Sequence, residues 1–344
     1  MSTSRKSWRD RGPVLVLGIE TSCDETCASV VENGQRVLSN AIASSLPQHS
    51  LYGGIIPEIA SRAHLESICS VVDMALKKAN TKPKDLGLIA VTQGPGLIGS
   101  LLVGISFARG LSLAWKQPLL GINHVRAHLY AAFIEHEISF PFVGLVVSGG
   151  HTSLYKVTGL SREEVMGSTR DDAAGEAFDK VAKILDLGFP GGPVVEKLAL
   201  KGHSRAFSFR CDCGPGFDFS FSGIKTAVLY KVKELKRIYG RLSETQIADL
   251  CASFQEAVVS DLVGKSLKGV RETKAKTLVV GGGVAFNGYL RRRLEMAAEE
   301  EGIRVFMAPR EYCLDNAAMV ASFGYRVFKA KGRRAHVRLD PLFA

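Results

Sequence analysis

Short continuous apolar runs punctuate this chain at 14–19, 87–92, 142–147 and 277–280, each closed by small or polar residues. Runs of this length predict strands buried on both faces. The first is followed by Glu20-Thr21-Ser22-Cys23-Asp24-Glu25-Thr26, a second apolar run at 28–31 and the turn pair Asn33-Gly34. The third is followed by Ser148-Gly149-Gly150-His151-Thr152 and a run at 154–157. Both read as strand, polar turn, strand. The other two runs share a second grammar. Gly94-Pro95-Gly96 leads into an apolar helix at 97–115 and a strand at 118–122, and Gly281-Gly282-Gly283 leads into a helix at 287–301 and a strand at 304–308.

One pattern stated twice predicts two similar α/β lobes made by duplication. The expected boundaries are 14–138 for the first lobe and 139–325 for the second, with basic tails at 1–13 and 326–344. A mostly helical insertion is expected at about 158–275. It holds a helix over 171–185, a basic helix over 225–241, and a helix opened by the capping box Ser243-Glu244-Thr245-Gln246. The 97–115 stretch is long and apolar enough to suggest a membrane span. Arg109, three glycines and three serines within it favour a helix buried in a large core, with no membrane role.

Composition narrows the class. The chain has 344 residues, 46% hydrophobic and 23% charged, which excludes disordered and fibrous proteins. The net charge is +10, but residues 1–12 carry +3 and residues 326–344 carry +5, so the body holds only about +2. Net charge therefore says little about a nucleic-acid partner. Seven scattered cysteines fit no disulfide framework and point to a reducing, cytoplasmic setting; a mitochondrial matrix setting is the alternative.

Three turns suit phosphate: Thr21 to Thr26, Ser148 to Thr152 and Gly281 to Gly283. Glycine permits close backbone approach, and hydroxyls add donors. Their spacing across two lobes is the pattern of the actin, sugar-kinase and heat-shock ATPase superfold, whose active site is an interlobe cleft. On these turns alone a sugar kinase with Asp24 as base, or a non-catalytic nucleotide-binding module, remains open.

His124 and His128 follow a strand end and, on a helix, share one face. That spacing can hold one metal ion. Pattern symmetry offers Asp315, after the matching strand of the second lobe, as a third ligand from across the cleft. Two imidazoles and one carboxylate suit iron(II) or zinc. Val125 occupies the place where a zinc protease carries its glutamate, which argues against peptidase chemistry.

Several motifs together resemble one family, the tRNA N6-adenosine threonylcarbamoyltransferases, of bacterial or mitochondrial type. They are Gly18-Ile19-Glu20-Thr21-Ser22-Cys23-Asp24-Glu25-Thr26, His124-Val125-Arg126-Ala127-His128, Val147-Ser148-Gly149-Gly150-His151-Thr152, Asp171-Asp172-Ala173-Ala174-Gly175-Glu176-Ala177-Phe178-Asp179-Lys180, Phe219-Ser220-Phe221-Ser222-Gly223-Ile224-Lys225-Thr226 and Asp315-Asn316-Ala317-Ala318-Met319. The resemblance implies transfer of a threonylcarbamoyl group from threonylcarbamoyl-AMP to N6 of adenosine 37, in the anticodon stem-loop of tRNAs reading codons that begin with A. It implies His124, His128 and Asp315 as metal ligands. It implies that Val146, Val147, Ser148, Gly149 and Gly150 line the acyl-adenylate, and that Asp179, Gly192, Glu196 and Asn287 contact its nucleoside and phosphate parts. Where the archaeal and eukaryotic branch places a tyrosine, this chain has Val147, so water or substrate must complete the metal shell. The implied partners are a smaller paralogous subunit and a P-loop ATPase in bacteria, or a second copy in mitochondria, with the first-lobe helix over 58–78 as one candidate contact.

The acceptor is a poor nucleophile and the donor a mixed anhydride, so positioning and charge stabilisation dominate. Asp24, or else Glu25, is the candidate to take the amine proton, with capping of its own turn as the alternative for Asp24. The acidic run 171–179 is a nucleoside contact or a solvated helix face, and Asn287 a ligand or a helix cap. The basic helix over 225–241, with Lys225, Lys231, Lys233, Lys236, Arg237 and Arg241 against Glu234, is a candidate tRNA contact or a solvated face. Arg291, Arg292 and Arg293 form a second basic cluster.

Overall fold

The computed structural model describes residues 12–331. They form two compact units, each with one five-stranded sheet. In chain order the strands are β1 (Leu15–Glu20), β2 (Glu25–Glu32), β3 (Arg36–Ser44), β4 (Leu86–Gly94), β5 (Leu119–Asn123), β6 (Phe142–Val147), β7 (Thr152–Gly159), β8 (Arg162–Ser168), β9 (Thr277–Gly281) and β10 (Arg304–Met307). The helices are α1 (Leu46–Ser50), α2 (Pro57–Lys78), α3 (Ile98–Trp115), α4 (His124–Tyr130), α5 (Ala174–Ile184), α6 (Gly191–Ala199), α7 (Ser222–Tyr239), α8 (Glu244–Thr273), α9 (Gly288–Glu300) and α10 (Ala317–Lys331).

The first sheet runs β3-β2-β1-β4-β5, and the second runs β10-β9-β6-β7-β8. In each, the opening strand sits at the centre. It pairs antiparallel with the next strand on one side, and parallel with a later strand on the other. The two sheets thus have one topology, as the repeated pattern predicts. Central β6 is buried at every position, which is why its sequence is an unbroken apolar run. In the first unit Leu17, Ile19, Val30, Ile89 and Val91 meet Val71 and Val72 of α2 and Leu101 and Ile105 of α3.

Three expectations are corrected. The second lobe does not continue to residue 325: from Asp315 onward the chain belongs with the first unit, and 49–54 belong with the second. α10 lies on β1 so closely that a Cβ at Gly18 would stand 2.2 Å from the Ala317 carbonyl oxygen. The region 158–275 opens with β8, an edge strand of the second sheet, before it becomes helical. The apolar helix is α3, but only one face is buried. Ser100, Leu101, Gly104, Ile105 and Ala108 face inward, whereas Ile98 and Leu113 are 58% and 80% exposed. α3 is the one helix among the described residues long and apolar enough to cross a membrane; its inward face packs on α2 and β4.

Most of each expected tail, 1–11 and 332–344, lies outside the described residues.

Candidate functional site

β5 ends at Asn123, whose side chain accepts a hydrogen bond from the Arg126 amide (3.0 Å) and starts α4 at once. The start of this helix fixes the histidines. His124 and His128 lie one turn apart, 6% and 1% exposed, with ring centroids 4.6 Å apart and planes at 85°. His128 Nδ1 is buried without a hydrogen-bond partner among the described residues, so the polar contact of that ring is made by Nε2 alone.

Asp315 precedes α10, and Asn316 caps that helix by accepting from the Met319 amide (2.9 Å). Asp315 Oδ1 lies 3.0 Å from His128 Nε2 and 3.5 Å from His124 Nε2. One ligand atom from each of the three residues falls within 4.8 Å of the others, a separation compatible with a single metal ion. All three belong to the first unit, because α10 returns to the first sheet. This corrects the expectation that Asp315 comes from the second lobe.

Sequence reasoning missed the group behind the cluster. Glu20, at the end of β1, is fully buried. Its Oε2 accepts from His124 Nδ1 (3.0 Å) and from the Thr92 hydroxyl, while its Oε1 accepts from the Ser22 amide (2.6 Å). A carboxylate on Nδ1 fixes the ring and directs Nε2 toward Asp315. Burial pushes Glu20 up, but His124 outweighs it and holds the carboxyl below its ordinary range. Burial likewise opposes charge on His124, yet Asp315 and Glu20 raise it to about 9. An imidazolium held between two carboxylates is a surplus of negative charge, and this donor set fits a dication taking the place of that proton. The sequence signal for Glu20 was slight: one acidic residue closing an apolar strand.

The Thr21 to Thr26 turn is pinned from several sides. Asp24, 8% exposed, gives its carbonyl to the amide (3.0 Å) and hydroxyl (2.8 Å) of Ser45. Buried His64 of α2 bonds Thr26 Oγ1 (2.7 Å) and the Cys23 carbonyl (3.0 Å), a second positioning group not foreseen. Burial, then the charge of Asp24, raises Glu25 to about 9, so Glu25 is a neutral carboxylic acid at pH 7. That favours Asp24 over Glu25 as a proton acceptor. Burial also pushes the Cys23 thiol far up, which removes it as a nucleophile.

The second unit carries the other predicted residues. Val146 and Val147 are fully buried in β6. At the following turn, the Ser148 amide donates to the His151 carbonyl (2.7 Å) and Ser148 accepts from the Gly175 amide (3.1 Å) at the start of α5. Gly149 and Gly150 are exposed, with open space where a Cβ would stand. Asp179 accepts from the Gly191 amide (2.7 Å) next to Gly192, and burial raises its pKa. Glu196 accepts from the Gly288 amide (2.7 Å). Asn287 caps α9 through the Leu290 amide (2.9 Å) and donates to Gln255 (2.9 Å). The Gly281 to Gly283 loop is tight for a local reason: Gly282 has φ +97°, and a Cβ there would meet the Val147 carbonyl at 2.4 Å.

Within the acidic run, Asp171 and Asp172 are engaged by residues of their own unit. Asp171 accepts from the Phe221 and Ser222 amides (2.8 and 3.2 Å) and caps α7, and Asp172 binds Lys180 and Lys225 (2.6 and 2.7 Å). The arginine cluster is also divided. Arg291 bonds the Ala285 and Ala308 carbonyls, and Arg293 pairs with Glu256.

Comparison with known proteins places this arrangement. The family model for tRNA N6-adenosine threonylcarbamoyltransferase matches residues 36–322. The protein of that name from Symbiobacterium thermophilum is 50% identical over 318 residues, covering 92% of each chain. The one from Syntrophotalea carbinolica is 49% identical over 313 residues, covering 90% of this chain and 91% of its own. Among solved structures, HypF of T. kodakarensis superposes with a TM-score of 0.64 at 14% identity, covering 96% of this chain and 50% of that one. The ROK hexokinase of Thermus thermophilus gives 0.50 at 16% identity, covering 92% and 100%. These two show the actin-like, sugar-kinase fold. The sequence matches go further: by the family model and by relatives about 50% identical over nine-tenths of its length, the chain belongs to the tRNA N6-adenosine threonylcarbamoyltransferase family.

Proposed function

We propose that this acyltransferase moves the threonylcarbamoyl group from threonylcarbamoyl-AMP to N6 of adenosine 37 in tRNA, with His124, His128 and Asp315 holding one iron(II) or zinc ion. The observation that carries the metal reading is the approach of three ligand atoms to within 4.8 Å of one another. A dication held there supplies Lewis-acid stabilisation of donor oxygens.

The N6 lone pair forms a bond to the carbamoyl carbon. The bond from that carbon to the phosphate oxygen breaks, AMP leaves with the electron pair, and Asp24 takes the N6 proton. Backbone N–H groups of the Ser148, Gly149 and Gly150 turn steady the developing charge, with Val146 and Val147 behind them. Asp179, Gly192, Glu196 and Asn287 shape the nucleoside side. In support, the Asp24 backbone carbonyl is bonded by both the amide and the hydroxyl of Ser45, and Gly149 and Gly150 have open space where a Cβ would stand.

The reading includes a smaller paralogous subunit and a P-loop ATPase as partners, or a second copy of the chain. Exposed apolar residues on α2 and α3, among them Leu65, Leu102 and Leu113, support the outer face of those helices as one contact. It also includes a cytoplasmic setting, supported by seven unpaired cysteines.

The deciding experiment supplies labelled threonine, bicarbonate, ATP, the adenylate-forming synthase, partners and unmodified tRNA. The wild-type chain transfers label. His128→Ala and Asp315→Ala lose transfer by at least about a hundredfold and lose bound metal, while remaining folded. Full activity in both variants would overturn the metal assignment.

A further inference from the structure

We propose that the outer face of α7 is a single-stranded RNA contact, with Tyr230 as a stacking platform flanked by Lys233 and Arg237. The inference deepens the tRNA reading above and rests on it. α7 buries Ile224, Val228, Val232 and Leu235 along one stripe. Helical spacing puts Tyr230, Lys233, Arg237 and, past the last turn, Arg241 on the opposite side. Tyr230 is 65% exposed, and Lys233 Nζ lies 6.0 Å from its ring centroid. Ile238 and Tyr239, at the end of the helix, are 57% and 62% exposed.

The structure separates the basic residues into those already occupied and those left for a ligand. Lys225 is held by Asp172 (2.7 Å) and Lys231 by Glu234 (2.7 Å). Lys233, Lys236, Arg237 and Arg241 are exposed, with no ion pair among the described residues. Pairing with Lys231 also takes up Glu234, the one acid on the helix. What remains is an exposed aromatic ring among unpaired cations. That combination suits unpaired bases, which stack on the ring while their phosphates meet the cations. A protein partner's apolar face would leave these cations desolvated and unpaired.

Position within the second unit supports the same partner. The Ser148 carbonyl accepts from Gly175 at the start of α5, and Asp171, just before α5, caps α7. α7 therefore begins one layer away from the turn assigned to the donor. At 1.5 Å per residue, Tyr230 lies about 12 Å along the helix from Ser222, and Arg237 about 22 Å. That is the span of a few nucleotides.

The test measures binding of a fluorescent, unmodified tRNA anticodon stem-loop to the full chain across a salt series, with threonylcarbamoyl transfer assayed alongside. Tyr230→Ala is expected to weaken binding about tenfold, and Tyr230→Phe to restore it. The double variant Lys233→Glu, Arg237→Glu is expected to lower the slope of log K against log salt by about 1.5. Lys231→Ala serves as the basic control and keeps wild-type binding. Wild-type affinity and slope in the Tyr230 and charge-reversal variants, with transfer intact, would overturn this surface and leave the reaction standing. No transfer by the wild type to any tRNA would instead overturn the function. A change in sedimentation without a change in RNA affinity would assign the face to self-association and also refute the proposal.

Discussion

Fully buried Glu20 Oε2 and His124 Nδ1 are 3.0 Å apart, and the contact leaves Nε2 of the same ring facing Asp315. The carboxylate thus acts on the histidine–aspartate cluster without belonging to it. Glu20→Gln keeps the shape but removes the charge that holds Nδ1 as the protonated nitrogen. Metal affinity should fall by about 10- to 100-fold. Competition with a chromophoric chelator checks this, and unchanged affinity would leave Glu20 a structural residue only.

Glu25 has a folded pKa raised to about 9, against an ordinary value near 4.3. The native protein therefore binds more protons than the unfolded chain across that interval, and stability falls as pH rises through it. Glu25→Gln mimics the neutral acid and removes this loss. The variant should be more stable than wild type at pH 8.5, with the advantage gone below pH 4. Urea unfolding at the two pH values gives the answer.

Gly18→Ala places a methyl group 2.2 Å from the Ala317 oxygen and 2.9 Å from the Ala321 nitrogen, both backbone atoms. α10 must shift, and Asp315 shifts with it. A loss of about 1–3 kcal/mol is expected, together with weaker metal retention. Gly110→Ala is the contrast. It lies inside α3 with open space around it, so alanine should stabilise by about 0.5–1 kcal/mol.

Asp171 caps α7 from 50 residues away. Partial burial pushes its pKa up, but bonds from Ser220, Phe221 and Ser222 outweigh that and lower it. A depressed folded pKa contributes stability above the unfolded value near 3.9 that is lost as pH falls through the folded value. Asp171→Asn should cost about 1 kcal/mol at pH 7 and progressively less below pH 4. Thermal melts over that range measure the convergence.

Much of the site was legible because it is local. His124 and His128 announce themselves by a four-residue interval after a strand, and the glycine turns by strands on either side. What escaped depends on long-range pairing. Asp315 does meet the two histidines but was given to the wrong unit, since chain order says only that it follows β10. The clue was Gly18 facing Ala317 and Ala321, which no periodicity reveals. Glu20 reads as a strand terminus until the Thr92 and His124 contacts are known. Asp171 and Asp172 look like solvent-facing acids because their partners lie about 50 residues downstream. α3 looks wholly internal because Ile98, Leu102 and Leu113 are as apolar as the residues it buries.

The hydrogen-bonded pair His128 and Asp315 are 187 positions apart. During synthesis the ribosome delivers both imidazoles early and the carboxylate near the end. A nascent or truncated chain that ends before Asp315 can offer a cation only two of the three clustered side chains. On the metal reading proposed above, loading would be a late event in the life of this polypeptide, and a product terminated before Asp315 should emerge unable to retain the ion.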